Sequence, residues 1–257
     1  MSAAVEPVGA PLLAVRGLQK RFGGVVAAKN VSFSLSPGEM LAIIGPNGAG
    51  KSTTFNMVGG QLRPDAGQVV LNGRDVTGLP PRQVWRLGVG RTFQVAQAFL
   101  SMSVAENVQM AHISHHGRTR SLWPSARDLY RDDALALLAR VGMEDAADRP
   151  VAELAYGDVK RVELAIALAA DPRLLLMDEP TAGMAPRERA ALMTLVDRIA
   201  RSEGIGVLFT EHDMDAVFGH ADRVLVLVRG EIIAEGPPAT VRADPEVKRV
   251  YLGGGHG

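Results

Sequence analysis

The fold of this chain is decided by the stretch Gly45-Pro46-Asn47-Gly48-Ala49-Gly50-Lys51-Ser52-Thr53. It matches the pattern G-x-x-x-x-G-K-[ST] and follows an apolar run at residues 41–44, which is typical of a buried parallel strand. A helix is predicted over residues 52–58. The glycines allow the loop to bring its backbone N–H groups against a polyphosphate, and the helix N-terminus adds a partial positive charge. The sequence therefore predicts a site for a nucleoside triphosphate.

Every residue of this loop is a candidate nucleotide contact: Gly45, Pro46, Asn47, Gly48, Ala49, Gly50, Lys51, Ser52 and Thr53. Lys51 would reach the β- and γ-phosphates, and the Ser52 hydroxyl would ligate Mg²⁺. The alternative is a glycine-rich turn that precedes a helix by coincidence. Because a pattern of this stringency rarely arises by chance after a predicted strand, the nucleotide site is favoured.

Composition limits the classes of protein that this chain can be. Its 257 residues are 47% hydrophobic, enough for a large core in one domain. The 28 Lys and Arg residues balance 28 Asp and Glu residues, so nothing in the overall charge favours a nucleic-acid partner. The absence of cysteine excludes disulfides, thiolate catalysis and iron–sulfur clusters, and it fits a reducing cytoplasm. Because no run approaches the roughly eighteen apolar residues of a membrane span, we expect a soluble chain.

The order of predicted elements indicates an α/β protein. Two partly alternating runs, 12–22 and 25–35, predict an antiparallel strand pair, and a strand at 67–71 ends at the hairpin signal Asn72-Gly73. Pro80-Pro81 starts a short predicted helix. Further along, predicted helices and strands alternate at 157–170, 173–177, 187–203, 206–210, 213–218 and 223–228. This alternation is typical of a parallel sheet covered by helices.

Residues 95–153 differ in character from the rest of the chain. They lack strand-like runs, and Leu135, Leu138 and Val141 have helical apolar spacing. We expect a single domain, 1–257, with a mainly parallel core and an antiparallel β subdomain at 12–94 and 154–252. Residues 95–153 are predicted to form an inserted α-helical subdomain.

A second chemical signal is the pair Asp178-Glu179 at the end of the predicted strand 173–177. A carboxylate at this place lies beside the Mg²⁺ of a nucleotide site, and the adjacent Glu179 can polarise an attacking water. An Asp-Glu pair after a strand is common on protein surfaces. Its combination with the glycine loop favours the catalytic interpretation.

These motifs, with others in a fixed order, resemble the ATP-binding cassette (ABC) family over nearly the whole chain. The further motifs are a glutamine, Gln94, after a strand; a signature segment at Leu154-Ala155-Tyr156-Gly157-Asp158; a D-loop at Ala182-Gly183-Met184-Ala185; and a switch histidine, His212. The resemblance implies ATP and Mg²⁺ as cofactors. It also implies a head-to-tail dimer in which each ATP lies between one subunit's glycine loop and the partner's signature residues.

The resemblance assigns roles to single residues as well. Gln94 lies near the Mg²⁺ and the nucleophilic water, so the implied metal ligands are Ser52, Gln94 and Asp178. His212 contacts the γ-phosphate beside the catalytic Glu179. Phe22 matches the aromatic position that stacks on adenine, and a place in the core is an equal alternative.

The signature and the D-loop depart from the common family pattern. The usual serine is replaced by Ala155, and Asp158 puts a carboxylate near phosphates unless it points away or caps its own helix. The D-loop lacks its usual aspartate. Backbone N–H groups and a helix N-terminus remain for binding, with Ala155, Tyr156, Gly157 and Asp158 as the expected contacts to the partner's ATP. Reduced or differently coupled hydrolysis is therefore an open alternative.

Within the family, the chain is most similar to ATPases of branched-chain amino acid importers. The shared features are the runs at 20–24, 90–94, 155–157, 211–214 and 247–253. This implies an ATPase on the cytoplasmic face of the membrane that works with transmembrane permease subunits, a second ATPase subunit and, indirectly, a substrate-binding protein. Urea or amide importers, a lipopolysaccharide exporter, an iron–sulfur assembly ATPase and a low-turnover binding subunit are the alternatives.

Two further features have open interpretations. Residues 95–101, with Phe99, are a candidate contact for a membrane partner, and internal packing of Phe99 is the alternative. His112, His115 and His116 have a spacing found in metal sites. Since no acidic or cysteine partner stands nearby, a solvated histidine cluster is favoured.

Overall fold

A computed structural model describes residues 10–92, 98–117 and 129–252. The strands are β1 (Leu13–Phe22), β2 (Val25–Leu35), β3 (Met40–Ile44), β4 (Ala66–Leu71), β5 (Arg74–Asp75), β6 (Val89–Thr92), β7 (Leu174–Asp178), β8 (Gly206–Thr210), β9 (Arg223–Val228) and β10 (Glu231–Gly236). The helices are α1 (Lys51–Val58), α2 (Pro81–Arg86), α3 (Val104–His115), α4 (Arg131–Val141), α5 (Tyr156–Leu168), α6 (Pro186–Glu203), α7 (Met214–His220), α8 (Pro238–Ala243) and α9 (Pro245–Leu252). This mixture confirms the predicted α/β class.

The larger sheet has six strands in the order β10-β9-β3-β8-β7-β6. Five strands, β9, β3, β8, β7 and β6, run parallel to one another, and β10 pairs antiparallel with β9 at one edge. All residues of β3 and β8 are buried, as expected for strands covered on both faces. Because the carboxyl ends of parallel strands share one edge, the loops after β3, β7 and β8 meet there.

The side chains of β3 alternate between two cores on opposite faces of this sheet. Leu41 and Ile43 pack in one core with the smaller sheet and α1, whereas Met40, Ala42 and Ile44 pack in the other with α5 and α6. The alternation follows from the two-residue period of a strand. The sheet thereby separates a β-rich layer from a helical layer.

The smaller sheet is antiparallel, with the order β2-β1-β4-β5. The turn between β1 and β2 pairs Phe22 with Val25, and the turn between β4 and β5 pairs Leu71 with Arg74. Both hairpins lie where the sequence predicts them. In the second, Asn72 and Gly73 both have positive φ, as a tight two-residue hairpin loop requires.

The described part of residues 98–153 is helical. Helix α3 begins with a capping box in which Ser103 Oγ accepts from Glu106 N and Glu106 Oε2 accepts from Ser103 N. Helices α3 and α4 pack on α5, and α4 buries Leu138 and Val141. The boundaries of a separate helical subdomain stay a prediction. In the described part of the chain, no helix has both the length and the apolar character needed to cross a membrane.

A pair of leucine variants tests the packing of α4. Leu138 is fully buried in the helical core, whereas Leu135 is only half-buried at its margin. Leu138→Ala is expected to lower the free energy of unfolding by about 2–5 kcal/mol, because it removes buried methyl groups and leaves a cavity. Leu135→Ala is the matched control and should cost clearly less. Equal losses in urea denaturation would contradict this arrangement of α4.

Candidate active site

The glycine loop between β3 and α1 is wedged between two neighbouring strands. A Cβ atom on Gly45 would lie 2.2 Å from Leu227 O of β9, and one on Gly50 would lie 2.1 Å from Ala27 O of β2. Both contacts are far below van der Waals distance, so no other residue fits at these two positions. Gly48, by contrast, has φ +77° and open space around it.

Hydrogen bonds hold the loop in this shape. Ala49 N donates to Pro46 O at 3.1 Å, Gly230 N donates to Ala49 O at 2.8 Å, and Thr54 N donates to Gly50 O at 2.9 Å. Residues 46–48 are exposed, as is Ser52 in the first turn of α1. The loop therefore presents its tip and the N-terminus of α1 to solvent, which is the arrangement that binds phosphate.

Lys51 is folded back onto the loop. Its side chain is buried, and Nζ donates to Gly45 O at 2.7 Å and to Pro46 O at 3.2 Å. Burial lowers the pKa of Lys51, while the nearby carboxylates of Glu179 and Asp178 act in the opposite direction. The loop lysine is thus electrostatically coupled to Asp178, the last residue of β7, and to Glu179, the residue after it.

Asp178 is fixed at the end of β7 by its neighbour on β8. Thr210 Oγ1 donates to Asp178 Oδ1 at 2.7 Å, and Oδ2 lies 3.9 Å from Arg91 Nη2. Arg91 also donates to Asn56 Oδ1 at 2.8 Å, and its guanidinium lies 5.2 Å from the centre of the Phe55 ring. Arg91 therefore joins β6, α1 and β7 behind the site. This role is not evident from the sequence, where the signal was a cation within a mostly buried strand.

Glu179 contacts His212 across the site. Glu179 Oε1 lies 2.9 Å from His212 Nε2, although the two residues are 33 positions apart in the chain. Glu179 has φ +49°, a left-handed conformation that costs a non-glycine residue about 1–2 kcal/mol. The hydrogen bond from Glu179 N to Thr210 O, at 3.1 Å, offsets part of this cost. The backbone of β8 thus holds Glu179 where its carboxylate meets the histidine.

A buried carboxylate links the segments that follow β7 and β8. Glu211 is 4% exposed, and its Oε1 accepts from Thr181 N at 2.9 Å and from Thr181 Oγ1 at 2.6 Å. Its Oε2 accepts from His212 N at 3.2 Å. Arg189 and Asp213 form an ion pair that also joins the two segments. Sequence reasoning missed both connections, because nothing in the local pattern shows which residues meet.

The signature segment lies at the N-terminus of α5. Ala155 is the N-cap and offers no side-chain hydrogen bond, and Gly157 and Asp158 occupy the first turn. A carboxylate in the first turn is favourable for its own helix dipole, and the conflict of Asp158 with a partner's phosphates stays a prediction. The exposed Tyr156 donates its hydroxyl to Ala182 O of the same chain at 3.2 Å. Contact of this segment with a partner's ATP stays a prediction.

Two aromatic residues are exposed where core packing was an alternative. Phe22, at the tip of the first hairpin, is 50% exposed, so its placement in the core is wrong. Phe99 is 57% exposed, and its internal packing is wrong as well. Gln94 lies outside the described residues, as does the start of the segment 95–101.

The favoured view of the three histidines as a solvated cluster is wrong for His112. This side chain is buried, which lowers its pKa, and its ring stacks at 5.7 Å from the ring of Tyr130. His116 stacks on the same tyrosine at 4.7 Å, and His115 meets Trp85 edge to face at 5.2 Å. Within the described residues, no group of three or more candidate ligands is arranged to hold a metal. The histidines pack with aromatic rings instead.

The fold and this site define a P-loop nucleoside triphosphatase. Residues 28–182, more than half of the chain, match the family model described as ABC transporter, and the chain belongs to this family. It is an ATP-binding cassette ATPase. A second model, described as Branched-chain amino acid ATP-binding cassette transporter, matches residues 231–257.

Individual relatives agree with this placement. The chain is 40% identical over 252 residues to the high-affinity branched-chain amino acid transport ATP-binding protein LivG of Escherichia coli, covering 95% of this chain and 98% of LivG. It is 37% identical to the lipopolysaccharide export system ATP-binding protein LptB of Acidithiobacillus ferridurans, covering 94% and 97%. A crystal structure of the ADP conformation of an ABC transporter cassette superposes with TM-score 0.86 and 32% identity, covering 95% and 100%.

Glycine variants of the loop test its geometry. Gly50→Ala is expected to destabilise the protein by about 3 kcal/mol or more, because backbone strain adds to displacement of β2. Gly48→Ala is the matched control, and it should cost only the backbone strain of about 1–2 kcal/mol, because its Cβ enters open space. Urea denaturation measures both. Equal stability of the two variants would contradict the close approach of Gly50 to β2.

Proposed function

We propose that this chain is the ATP-hydrolysing motor subunit of a membrane importer of branched-chain or related amino acids. The observation that carries the motor function is the contact of Glu179 with His212 beside Lys51. The proposed substrate class is supported by the match of residues 231–257 and by the similarity to LivG over nearly the whole chain.

The residues after β3 and β7 suit a magnesium nucleotide. The exposed Ser52 hydroxyl and the Asp178 carboxylate are hard oxygen donors, which Mg²⁺ prefers. We assign them as ligands, with Gln94 as a third. Mg²⁺ bound there would neutralise charge that develops on the phosphates. Phe22 is available at the surface to stack on adenine.

In the proposed mechanism, the protein groups position the phosphates and the water. Lys51 exchanges its loop carbonyls for the β- and γ-phosphates, which are stronger acceptors for a buried cation. The Glu179 carboxylate accepts a hydrogen bond from the attacking water and orients it toward the γ-phosphate. His212 contacts the Glu179 carboxylate through Nε2. When a nucleotide is bound, a ring N–H of His212 would donate to a γ-phosphate oxygen.

A single chain exposes both halves of such a site. The tip of the glycine loop is open to solvent, and so are Ala155 and Tyr156 at the start of α5. We propose a head-to-tail dimer in which the loop of one subunit and the signature segment of the other enclose each ATP. ATP binding closes this dimer, and hydrolysis with product release reopens it.

The proposed contact with the permease subunits lies on the helical side of the molecule. Phe99 and Leu100 are each 57% exposed, an unusual state for adjacent large apolar residues. Asn107 fixes this segment, since its Oδ1 accepts from Phe99 N at 2.7 Å and its Nδ2 donates to Phe99 O at 3.1 Å. A rigid apolar projection of this kind suits docking of a partner helix at the cytoplasmic face of the membrane.

An apolar cavity is a second candidate place for a permease contact. It has a volume of about 380 Å³ and opens between α2, α3 and α5, with Trp85, Ala111 and Ile166 in its lining. A short helix of a permease subunit is the proposed occupant. The substrate-binding protein would act on the permease subunits and would not touch this chain.

Lipopolysaccharide export is the second candidate function, and the 37% identity to LptB supports it. The match of residues 231–257 favours amino acid import. A low-turnover binding subunit remains the third, because Ala155 removes the usual signature hydroxyl. Reconstitution with the permease subunits and measurement of leucine uptake distinguishes the first candidate from the others.

Replacement of the proposed catalytic carboxylate tests the motor function. Glu179→Gln is expected to reduce ATP hydrolysis at least about 100-fold, because an amide cannot accept the proton of the water. ATP binding should persist, and light scattering should show an ATP-bound dimer. Glu144→Gln, at an exposed position, is the control with wild-type turnover. If Glu179→Gln hydrolyses ATP at the wild-type rate, Glu179 is not the base.

A charged substitution tests the docking segment. Phe99→Asp is expected to weaken association with the permease subunits by about tenfold or more, because it places a carboxylate in an apolar contact. ATP binding should not change. Ala136→Asp on the exposed face of α4 is the control for surface charge. Undiminished co-purification of Phe99→Asp with the permease subunits would refute the proposed contact.

A further inference from the structure

The first residue of α5 touches the loop that follows Glu179, the proposed catalytic carboxylate. The Tyr156 hydroxyl donates to Ala182 O at 3.2 Å, and its ring faces Gly183, where an added Cβ would lie 3.7 Å from Tyr156 Cε1. The side chain is 44% exposed, so this contact is not enforced by burial. The hydroxyl makes a hydrogen bond between the start of α5 and the D-loop, and Met184 of that loop lies beside Gly157 as an apolar contact.

The ring of Tyr156 is held on the α5 side by a cation. Lys160 Nζ lies 5.6 Å from the ring centre, one helical turn further along α5. Lys160 is itself buried and pairs with Glu163 at 2.9 Å. Because Tyr156 and Lys160 both lie on α5, this contact holds the tyrosine ring to its own helix.

A backbone hydrogen bond extends the contact between Tyr156 and Ala182 to Glu179. Ala182 accepts from Tyr156 through its carbonyl, and its N–H donates to Glu179 O at 3.1 Å. Glu179 is the residue with the left-handed backbone whose carboxylate meets His212. One residue, Ala182, therefore separates the tyrosine hydroxyl from the backbone of Glu179. The positive φ of Gly183, next to Ala182, is a conformation that glycine adopts without strain.

We propose that Tyr156 is a positioning residue for hydrolysis, which acts through Ala182 on the Glu179 of its own subunit. A shift of α5 is passed by the hydroxyl to the Ala182 carbonyl and from there to the backbone turn that carries Glu179. The signature segment thus acts on two sites: its backbone faces the partner's ATP, and its tyrosine side chain adjusts the acid of its own site. This inference rests on the proposed function.

The test is removal of the hydroxyl alone. In Tyr156→Phe, the kcat of ATP hydrolysis is expected to fall about three- to tenfold, the size that one neutral hydrogen bond supports. The KM for ATP and the thermal unfolding temperature should not change. Hydrogen–deuterium exchange of peptides covering 181–185 should accelerate, while peptides from the glycine loop keep their wild-type rates. Tyr130→Phe, on a tyrosine that stacks on His112 beside α4, is the matched control.

The outcomes separate this inference from the proposed function. A raised KM with unchanged kcat would place the hydroxyl on the partner's nucleotide and overturn the inference. Unchanged exchange at 181–185, or faster exchange throughout the chain, would overturn it as well. If wild-type protein hydrolyses no ATP, the proposed motor function fails. The exchange measurement in the absence of turnover then still decides whether Tyr156 holds the D-loop.

Discussion

The parallel pairing of β3 with β8, and of β8 with β7, is the constraint on which the rest of the site depends. It brings the carboxyl ends of three strands to one edge of the sheet, and each strand delivers a different group there. Strand β3 delivers the phosphate loop, β7 delivers Asp178 and Glu179, and β8 leads to His212. No single segment contains a working site, so catalysis requires the sheet to form first.

Several polar contacts at this edge fix charged side chains in place before any ligand binds. Lys51 is desolvated and donates to two loop carbonyls, and Thr210 fixes Asp178 through one of its two oxygens. Glu179 is strained at the backbone and is paired with His212. In the proposed function, such preorganisation lowers the reorganisation needed when a nucleotide binds, because these groups already face the proposed place of the phosphates.

The segments after β7 and β8 form one cooperative unit. Glu211 and Thr181 are both almost completely buried, and they join the D-loop to the switch histidine, while Arg189 and Asp213 join the same segments further out. Buried polar networks are costly when incomplete, so these segments are expected to move together. The hydroxyl of Tyr156 connects this unit to α5, the helix that also carries the signature segment.

The phosphate loop, both hairpins and the alternation of strands and helices are predictable from local signals such as glycine positions and apolar periodicity, and the family followed from the resemblance of motifs in a fixed order. Tertiary structure decided the contact of Glu179 with His212, the bridge made by Arg91 and the burial of Glu211. It also decided that Phe22 is exposed and His112 is buried. These features depend on which distant segments pack together, and a linear pattern of residue types does not encode the distance between side chains that lie 33 positions apart.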